Sequence, residues 1–197
     1  MKNLFCIAIL FAFASLTAQE KKEVDILPVD IQIKTATLPA PEADKAGAMV
    51  YGYNSAGKMI VLRKGNNNLV CLADNPNKKG ISVSCYSNKL EPFMKRGREL
   101  AAEGKSYMEK RKIRGEEVES GKIKMPKEPS MAYIYYGNDE DYNKTTGELK
   151  DGQFRYVIYT PFATPESTGL PIKPHAKGMP WLMDPGTHRA HIMVGPF

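Results

Sequence analysis

All three histidines of this chain, its only tryptophan and three of its ten methionines lie within the last twenty-three residues. The histidines are His175, His188 and His191, and the methionines are Met179, Met183 and Met193. Imidazole and thioether groups together are ligands that suit soft metals, copper above all. The C-terminal segment is therefore the first place to look for a metal site.

The spacing of the last two histidines argues against such a site. His188 and His191 are three residues apart, which places them on one face of a helix but on opposite faces of a strand. Residues 184–187 have the composition of a turn, which favours a following strand. We therefore expect no cofactor, and we keep a metal site formed by His175, His188 and His191 as an alternative.

The same segment offers an indole, a carboxylate and an imidazole at Trp181, Asp184 and His191. These three are the candidate ligand-binding residues. A concave site in which they converge would favour chemistry. Their burial without a cleft would instead favour a binding or structural role.

A hydrolytic arrangement can also be written from hydroxyl, imidazole and carboxylate groups. The candidates are Ser167, Thr168 or Thr187 as nucleophile, a histidine as base, and Asp184 or Glu166 to orient it. Residues 165–169 lack the strand–turn–helix frame of a nucleophile elbow, because they run on to Pro171 and Pro174. The sequence thus names no catalytic residue and leaves open whether the protein is an enzyme.

Basic residues are concentrated in one part of the chain, whose formal net charge is +6. Residues 94–127 contain eleven Lys and Arg against six Asp and Glu. The densest cluster is Lys110, Arg111, Lys112 and Arg114. Interleaved acidic residues and a single neighbouring aromatic, Tyr107, do not make a stacking platform for bases. We predict a solvated helix face, with any contact to a polyanion weak and salt-dependent.

The first nineteen residues have the features of a secretory signal peptide. Lys2 precedes an apolar run, and small residues lead to a cleavage point near Ala18 and Gln19. The run is too short to span a bilayer, and we predict no transmembrane segment. The mature protein is expected to be secreted or periplasmic.

Two cysteines remain after cleavage, Cys71 and Cys85. In an oxidising compartment an even pair is more often bridged than free. Each lies in a strand-like run, and period-two alternation turns both thiols toward the apolar side. The sequence predicts a structural disulfide between them.

Hydrophobic patterning predicts an α+β fold with an antiparallel sheet of about six strands and one main helix. Residues 20–46 form an N-terminal extension or linker, in which alternation over residues 29–33 indicates an edge strand and Pro41 begins a loop or helical turn. Residues 47–197 form a single α+β domain. Short strands over 49–53, 59–63, 69–73 and 81–86 indicate an antiparallel meander. A helix begins near Leu90 and ends at Gly104, and residues 106–121 form a second helix or a long excursion.

Tyrosines alternate along two of the predicted strands. Tyr133 and Tyr135 share one strand face, as do Tyr51 and Tyr53. An exposed face of this kind would suit a sugar or a small amphipathic ligand. We expect instead that the helix packs over it.

Two separate stretches of the sequence resemble the pattern of a protein family. The first is Leu-Arg-Lys-Gly-Asn-Asn at residues 62–67, followed by Cys71 and Cys85. The second is Pro-Trp-Leu-Met at 180–183, then Gly-Thr at 186–187 and Ala-His-Ile-Met-Val at 190–194. This pattern resembles a family of small secreted bacterial proteins with no assigned function.

The resemblance places His191 at a family position, whereas His188 departs from the pattern and His175 has no counterpart. From these observations we expect a secreted, non-catalytic binding or interaction module whose ligand or protein partner is unknown. The alternative is a metal- or ligand-dependent activity centred on the C-terminal Trp/His/Met segment.

Overall fold

The computed structural model describes residues 25–196, so the predicted signal peptide lies outside the described residues. Eight strands form the main sheet: β1 (Met49–Tyr53), β2 (Met59–Arg63), β3 (Leu69–Leu72), β4 (Ile81–Ser87), β5 (Ser130–Gly137), β8 (Gln153–Tyr159), β9 (Trp181–Met183) and β10 (His191–Val194). A small hairpin consists of β6 (Tyr142–Asn143) and β7 (Glu148–Leu149). The helices are α1 (Val29–Ala36), α2 (Glu42–Lys45), α3 (Glu91–Ala102), α4 (Tyr107–Glu119) and α5 (Pro165–Thr168).

Within residues 25–196, no helix has both the length and the apolar character needed to cross a membrane.

The fold class is α+β as predicted, but the sheet is larger than six strands and more than one helix is present. Its strand order is β2-β1-β3-β4-β5-β8-β10-β9. Neighbouring strands are antiparallel except β1 and β3, which are parallel. The hydrophobic runs over residues 131–136, 154–160 and 190–195 also predict strands, and these form β5, β8 and β10. An edge strand of three residues, β9, completes the sheet.

The predicted meander is wrong at β3. Although only residues 64–68 join β2 to β3, the turn crosses the start of β1 and places β3 on the other side of that strand. The amides of Asn66 and Asn67 donate to the Gly47 carbonyl across this crossing, at 2.8 and 3.3 Å. A Cβ at Gly65 would lie 2.3 Å from the Met49 nitrogen, so the crossing requires a residue without a side chain.

The disulfide is confirmed. Cys71 and Cys85 are directly opposite in the β3–β4 ladder, and their sulfur atoms are bonded. Both residues are fully buried. The bridge therefore lies inside the core, where reductants have no access from solvent.

The predicted edge strand over residues 29–33 is wrong, because this segment is part of α1. The helix buries the polar residue Gln32, whose Nε2 donates to the Leu27 and Tyr53 carbonyls and whose Oε1 accepts from the Tyr53 amide. Because the buried position 32 holds a polar glutamine, the helical pattern of buried residues is not visible in the sequence. The alternation of Val29, Ile31 and Ile33 therefore indicates a strand where a helix forms. The predicted helical turn after Pro41 is confirmed as α2.

The two longer helices form at the predicted places. The side chains of Ser106 and Glu109 make a capping box at the start of α4. Gly97 weakens α3 intrinsically. A Cβ there would lie 2.9 Å from Nη1 of Arg114, so the glycine allows α4 to approach closely.

Helices cover both faces of the sheet, but over different strands. On one face, here called the α1 face, a cluster that includes Ala36, Ala40, Val50, Cys71 and Cys85 is buried. On the other, the α3 face, a second cluster holds Val70, Tyr86, Leu90, Ala132 and Val157. Each side of the sheet thus has its own core.

An ion pair lies at the edge of the α3-face core. Arg98 Nη2 donates to Glu91 Oε1 at 2.6 Å, and the Tyr86 hydroxyl donates to Glu91 Oε2 at 2.6 Å. Burial raises the pKa of Tyr86 well above its usual range, which keeps it a donor. The guanidinium also lies 4.4 Å from the ring centroid of Tyr51, so α3 covers that tyrosine as predicted.

Candidate functional site

Two of the three predicted ligand residues lie together at the C-terminal edge of the sheet. Asp184 follows β9, and its Oδ1 accepts from Nη2 of Arg111 at 2.9 Å. Its other oxygen is 3.4 Å from Nη2 of Arg189. His191 is buried, with Nδ1 2.7 Å from the Arg189 carbonyl and its ring packed on Tyr159. Because a carbonyl only accepts, Nδ1 carries a proton.

Trp181 lies apart from this pair. With His175 and Pro196 it lines a shallow depression of about 330 Å³ that includes neither Asp184 nor His191. The three predicted residues therefore do not converge in one cleft.

The three histidines have separate surroundings. His188 packs edge-on against Phe93, with ring centroids 5.7 Å apart, whereas His175 is exposed and His191 is buried. In the described part of the chain, no group of three or more His, Cys, Asp or Glu side chains is placed to hold a metal ion.

The hydroxyls considered as nucleophiles are engaged with the backbone. Ser167 and Thr168 donate to the Thr164 carbonyl at 3.0 and 2.9 Å, at the start of α5. Thr187 donates to the Asp184 carbonyl at 2.8 Å. Across residues 25–196, none of these hydroxyls is hydrogen-bonded to a histidine, so no nucleophile–base pair is assembled.

The predicted solvated patch on α4 is wrong for two of its four residues. Arg111 pairs with Asp184, and the Arg114 guanidinium lies 4.1 Å from the ring centroid of Phe93. Lys112 is solvated as predicted, with 78% of its side chain exposed, and Lys110 is half-buried. We call Arg111, Arg114 and Arg189, with Asp184, the arginine cluster. The arginine cluster joins α4 to the C-terminal segment, which are far apart in the sequence.

Acid should destabilise this end of the molecule through the buried His191 and the half-buried His188. Burial lowers the pKa of His191 below 6.5, and burial together with Arg189 lowers that of His188. Below about pH 6.5 the unfolded chain binds protons that the folded chain does not. We therefore expect the free energy of unfolding to fall as the pH drops below 6.5.

Urea denaturation of the wild type and His191→Gln at several pH values between 7.5 and 5 measures this effect. The variant should be less stable overall but should lose less stability over that interval. Equal pH slopes for the two proteins would show that His191 does not contribute.

A half-buried apolar surface lies on the α1 face, beside the strands that α1 covers. Register brings Tyr133 opposite Tyr156 and Tyr135 opposite Phe154, so all four rings share one face. Ring centroids are 4.6 Å apart for Tyr135 and Phe154 and 6.0 to 6.1 Å apart for the other contacts. We call these four residues the aromatic platform.

The platform continues into aliphatic side chains on the same face, at Met131, Ile158, Ile192 and Val194. All eight residues are half-buried, whereas Ala132 and Val157 on the opposite face of the same strands are buried. Because α3 packs on that opposite face with Leu90, the prediction that this helix covers Tyr133 and Tyr135 is wrong. The platform is a half-buried apolar surface instead, with Tyr133 packed against the α1-face cluster.

A shallow groove of about 540 Å³ adjoins the platform at Tyr133 and Met131. Its remaining lining is Asp44, Asn66, Asn67, Asn68, Leu69, Ser87, Lys89 and Pro129. The rim thus consists mainly of amide and hydroxyl groups. The side-chain carboxamide of Asn66 is exposed and makes no hydrogen bond within residues 25–196, so it is available to a ligand.

We found no match to this chain among protein-family models, curated proteins or solved structures. The resemblance drawn from residues 62–67 and 180–194 therefore stays a prediction.

A more enclosed cavity of about 130 Å³ lies beneath the N-terminal segment. Two of its carboxylates are engaged within the protein: Asp74 accepts from the Ser82 amide at 2.8 Å, and Asp139 accepts from the Gly80 amide at 2.9 Å. Burial raises the pKa of Asp74. These bonds hold the 74–80 turn in place, so the cavity has a structural explanation.

Phe154 and Asn66 are not among the residues that the sequence predicts to bind a ligand. The alternation of residues 154, 156 and 158 could have indicated a second aromatic strand face. The proximity of Asn66 to that face depends on the crossing at β1, which no local pattern indicates.

Proposed function

We propose that this protein is a secreted, non-catalytic binding module that binds an uncharged saccharide on the aromatic platform and its adjoining groove. The observation that carries the proposal is a continuous row of partly solvent-accessible rings on interior strands beside a rim of amide and hydroxyl groups. Interior strands normally bury such rings. An exposed apolar patch rimmed by polar residues marks a binding surface.

The chemistry of the rim favours a neutral, hydroxyl-rich ligand. An amide both donates and accepts hydrogen bonds, as a sugar hydroxyl does. Lys89 is paired with Glu128 at 3.4 Å, so its charge is partly compensated. A highly charged polymer would find little to pair with here, whereas the apolar face of a sugar ring could pack on the rings of Tyr133 and Tyr156.

Size and shape agree with this ligand class. The groove volume lies in the range of about 300 to 1,000 Å³ typical of small-molecule sites. Neighbouring ring centroids of the platform are 4.6 to 6.1 Å apart, so the apolar floor continues across β5 and β8. An elongated oligosaccharide lying across these strands would contact several rings at once.

A binding role rather than catalysis is supported by the engaged hydroxyls of Ser167, Thr168 and Thr187. The buried disulfide agrees with an oxidising compartment outside the cytoplasm. The disulfide is thus consistent with the predicted secretion of the protein.

The test is calorimetric titration of residues 20–197 with cellohexaose and maltohexaose, and with an acidic oligogalacturonate for comparison. We expect saturable binding of at least one neutral oligosaccharide. Phe154→Ala should weaken it at least tenfold, equivalent to about 1.4 kcal/mol. Asn66→Ala, at an exposed position, should also weaken it and should not affect folding.

Tyr136→Ala is the matched control. This tyrosine is a neighbour on β5 but on the opposite face, where Arg155 lies 4.9 Å from its ring centroid. Its loss should leave saccharide binding within twofold. Absence of binding by the wild type, or an equal loss in Tyr136→Ala and Phe154→Ala, would refute the proposal.

A further inference from the structure

Positive charge at the arginine cluster exceeds the negative charge that faces it. Asp184 interacts with two guanidinium groups, those of Arg111 and Arg189. Arg114 makes no ion pair with any carboxylate in residues 25–196. Its guanidinium donates to the Phe93 and Lys110 carbonyls, at 3.4 and 3.3 Å. The cluster therefore has three cations and one anion.

The cluster also contains buried polar atoms without hydrogen-bond partners among the described residues. Nη1 of Arg189 is buried and has no hydrogen-bond partner among the described residues, and the whole side chain is only 14% exposed. Nε2 of His188, beside the same arginines, is buried and unpartnered within the same residues. Buried polar groups in native proteins normally have partners, so each orphan needs an explanation such as an absent ion.

The same end of the sheet contains unusual backbone. Asp184 and Phe162 have φ angles of +50° and +66°, which are rare for residues other than glycine. Their loops are bonded to each other, since the Phe162 amide donates to the Thr187 carbonyl at 2.8 Å. Strained backbone of this kind is concentrated at ligand sites and other functional positions.

Solvent reaches the cluster from one side. The Arg111 side chain is 40% exposed, against 17% for Asp184 and 14% for Arg189. Tyr107, whose hydroxyl is 3.4 Å from Arg189 Nη2, is 59% exposed. An anion could therefore approach beside Arg111 and Tyr107 and reach the buried guanidinium groups behind them.

We propose that the arginine cluster binds an oxyanion, a phosphate or sulfate group, through Arg111, Arg114 and Arg189. Guanidinium groups present paired donors that match the oxygens of such anions. Burial and the neighbouring Arg189 lower the pKa of Arg114, as expected for a cation that lacks an anionic partner. The aromatic platform lies on the other face of the sheet, so this site is independent of saccharide binding.

The test follows thermal unfolding and the arginine Nε–Hε NMR signals of residues 20–197 during titration with sodium phosphate and sodium sulfate. Sodium chloride at matched ionic strength is the reference. We expect saturable stabilisation and shifts of Arg signals with phosphate or sulfate beyond those with chloride. Glycerol 3-phosphate, titrated in parallel, distinguishes a free ion from a phosphate group carried on a larger ligand.

Arg111→Gln and Lys112→Gln form a matched pair, because each removes one positive charge from adjacent positions of α4. Arg111→Gln should weaken oxyanion binding at least tenfold, and Lys112→Gln should change it less than twofold. Asp184→Asn should strengthen binding about tenfold, since the cluster then lacks its internal anion. No saturable effect in the wild type, or equal losses in the two α4 variants, would overturn the proposal.

Discussion

Deletion of residues 188–197 is expected to leave no folded protein. The deletion removes β10, which lies between β8 and β9 in the sheet. Since β9 pairs only with β10 in the described sheet, it would lose all of its ladder hydrogen bonds. Leu182 on β9 is fully buried, and its exposure alone would cost about 1.5 to 3 kcal/mol. The new edge at β8 would also expose unpaired backbone groups.

The measurement is the yield and the near-UV circular dichroism of the truncated chain. Deletion of residues 195–197 is the matched control, because it leaves β10 intact and should preserve the fold. His188→Ala should also leave the fold and its stability nearly unchanged, since Nε2 of His188 makes no hydrogen bond within residues 25–196. A cooperative, native-like unfolding transition in the 188–197 deletion would contradict this expectation.

Replacing both cysteines with alanine should reduce the free energy of unfolding by about 3 kcal/mol. Cys71 and Cys85 are separated by 14 positions and close the β3–β4 loop, which restricts the unfolded chain. The effect on the folded state should be small because the ladder around them is regular. The change should therefore appear as a lower urea midpoint.

Urea unfolding of the double variant, compared with wild type with and without dithiothreitol, measures this stabilisation. Wild type unfolded in dithiothreitol should approach the stability of the variant. A midpoint unchanged by the double substitution would show that the bridge adds no stability to this sheet.

Strands that alternate and pair locally were predictable from the sequence. The hydrophobic pattern predicts the full residue ranges of β1 and β2. The turn between β3 and β4 brings the two cysteines opposite each other. The helix after Leu90 was predictable for the same local reasons, a proline in its first turn and a glycine after its end.

Features that depend on distant parts of the chain could not be predicted. Gln32 is buried only because the Leu27 and Tyr53 backbones supply its partners, so α1 has no hydrophobic signature. Arg111 and Asp184 are 73 positions apart, and the helix packing that joins them leaves no local trace. The sequence therefore predicts individual residues of the candidate site but not their arrangement in space.

The crossing of β1 by residues 64–68 determines how the N-terminal segment can open. Through this crossing Asn67 donates from its side chain to the Asp44 carbonyl, and its amide donates to Gly47. The segment that carries α1 and α2 is thus tied to a turn between two strands. It cannot separate from the sheet while β2 and β3 both stay paired with β1, so the helices and the sheet should unfold in a single cooperative step, with closely similar amide-exchange protection in both.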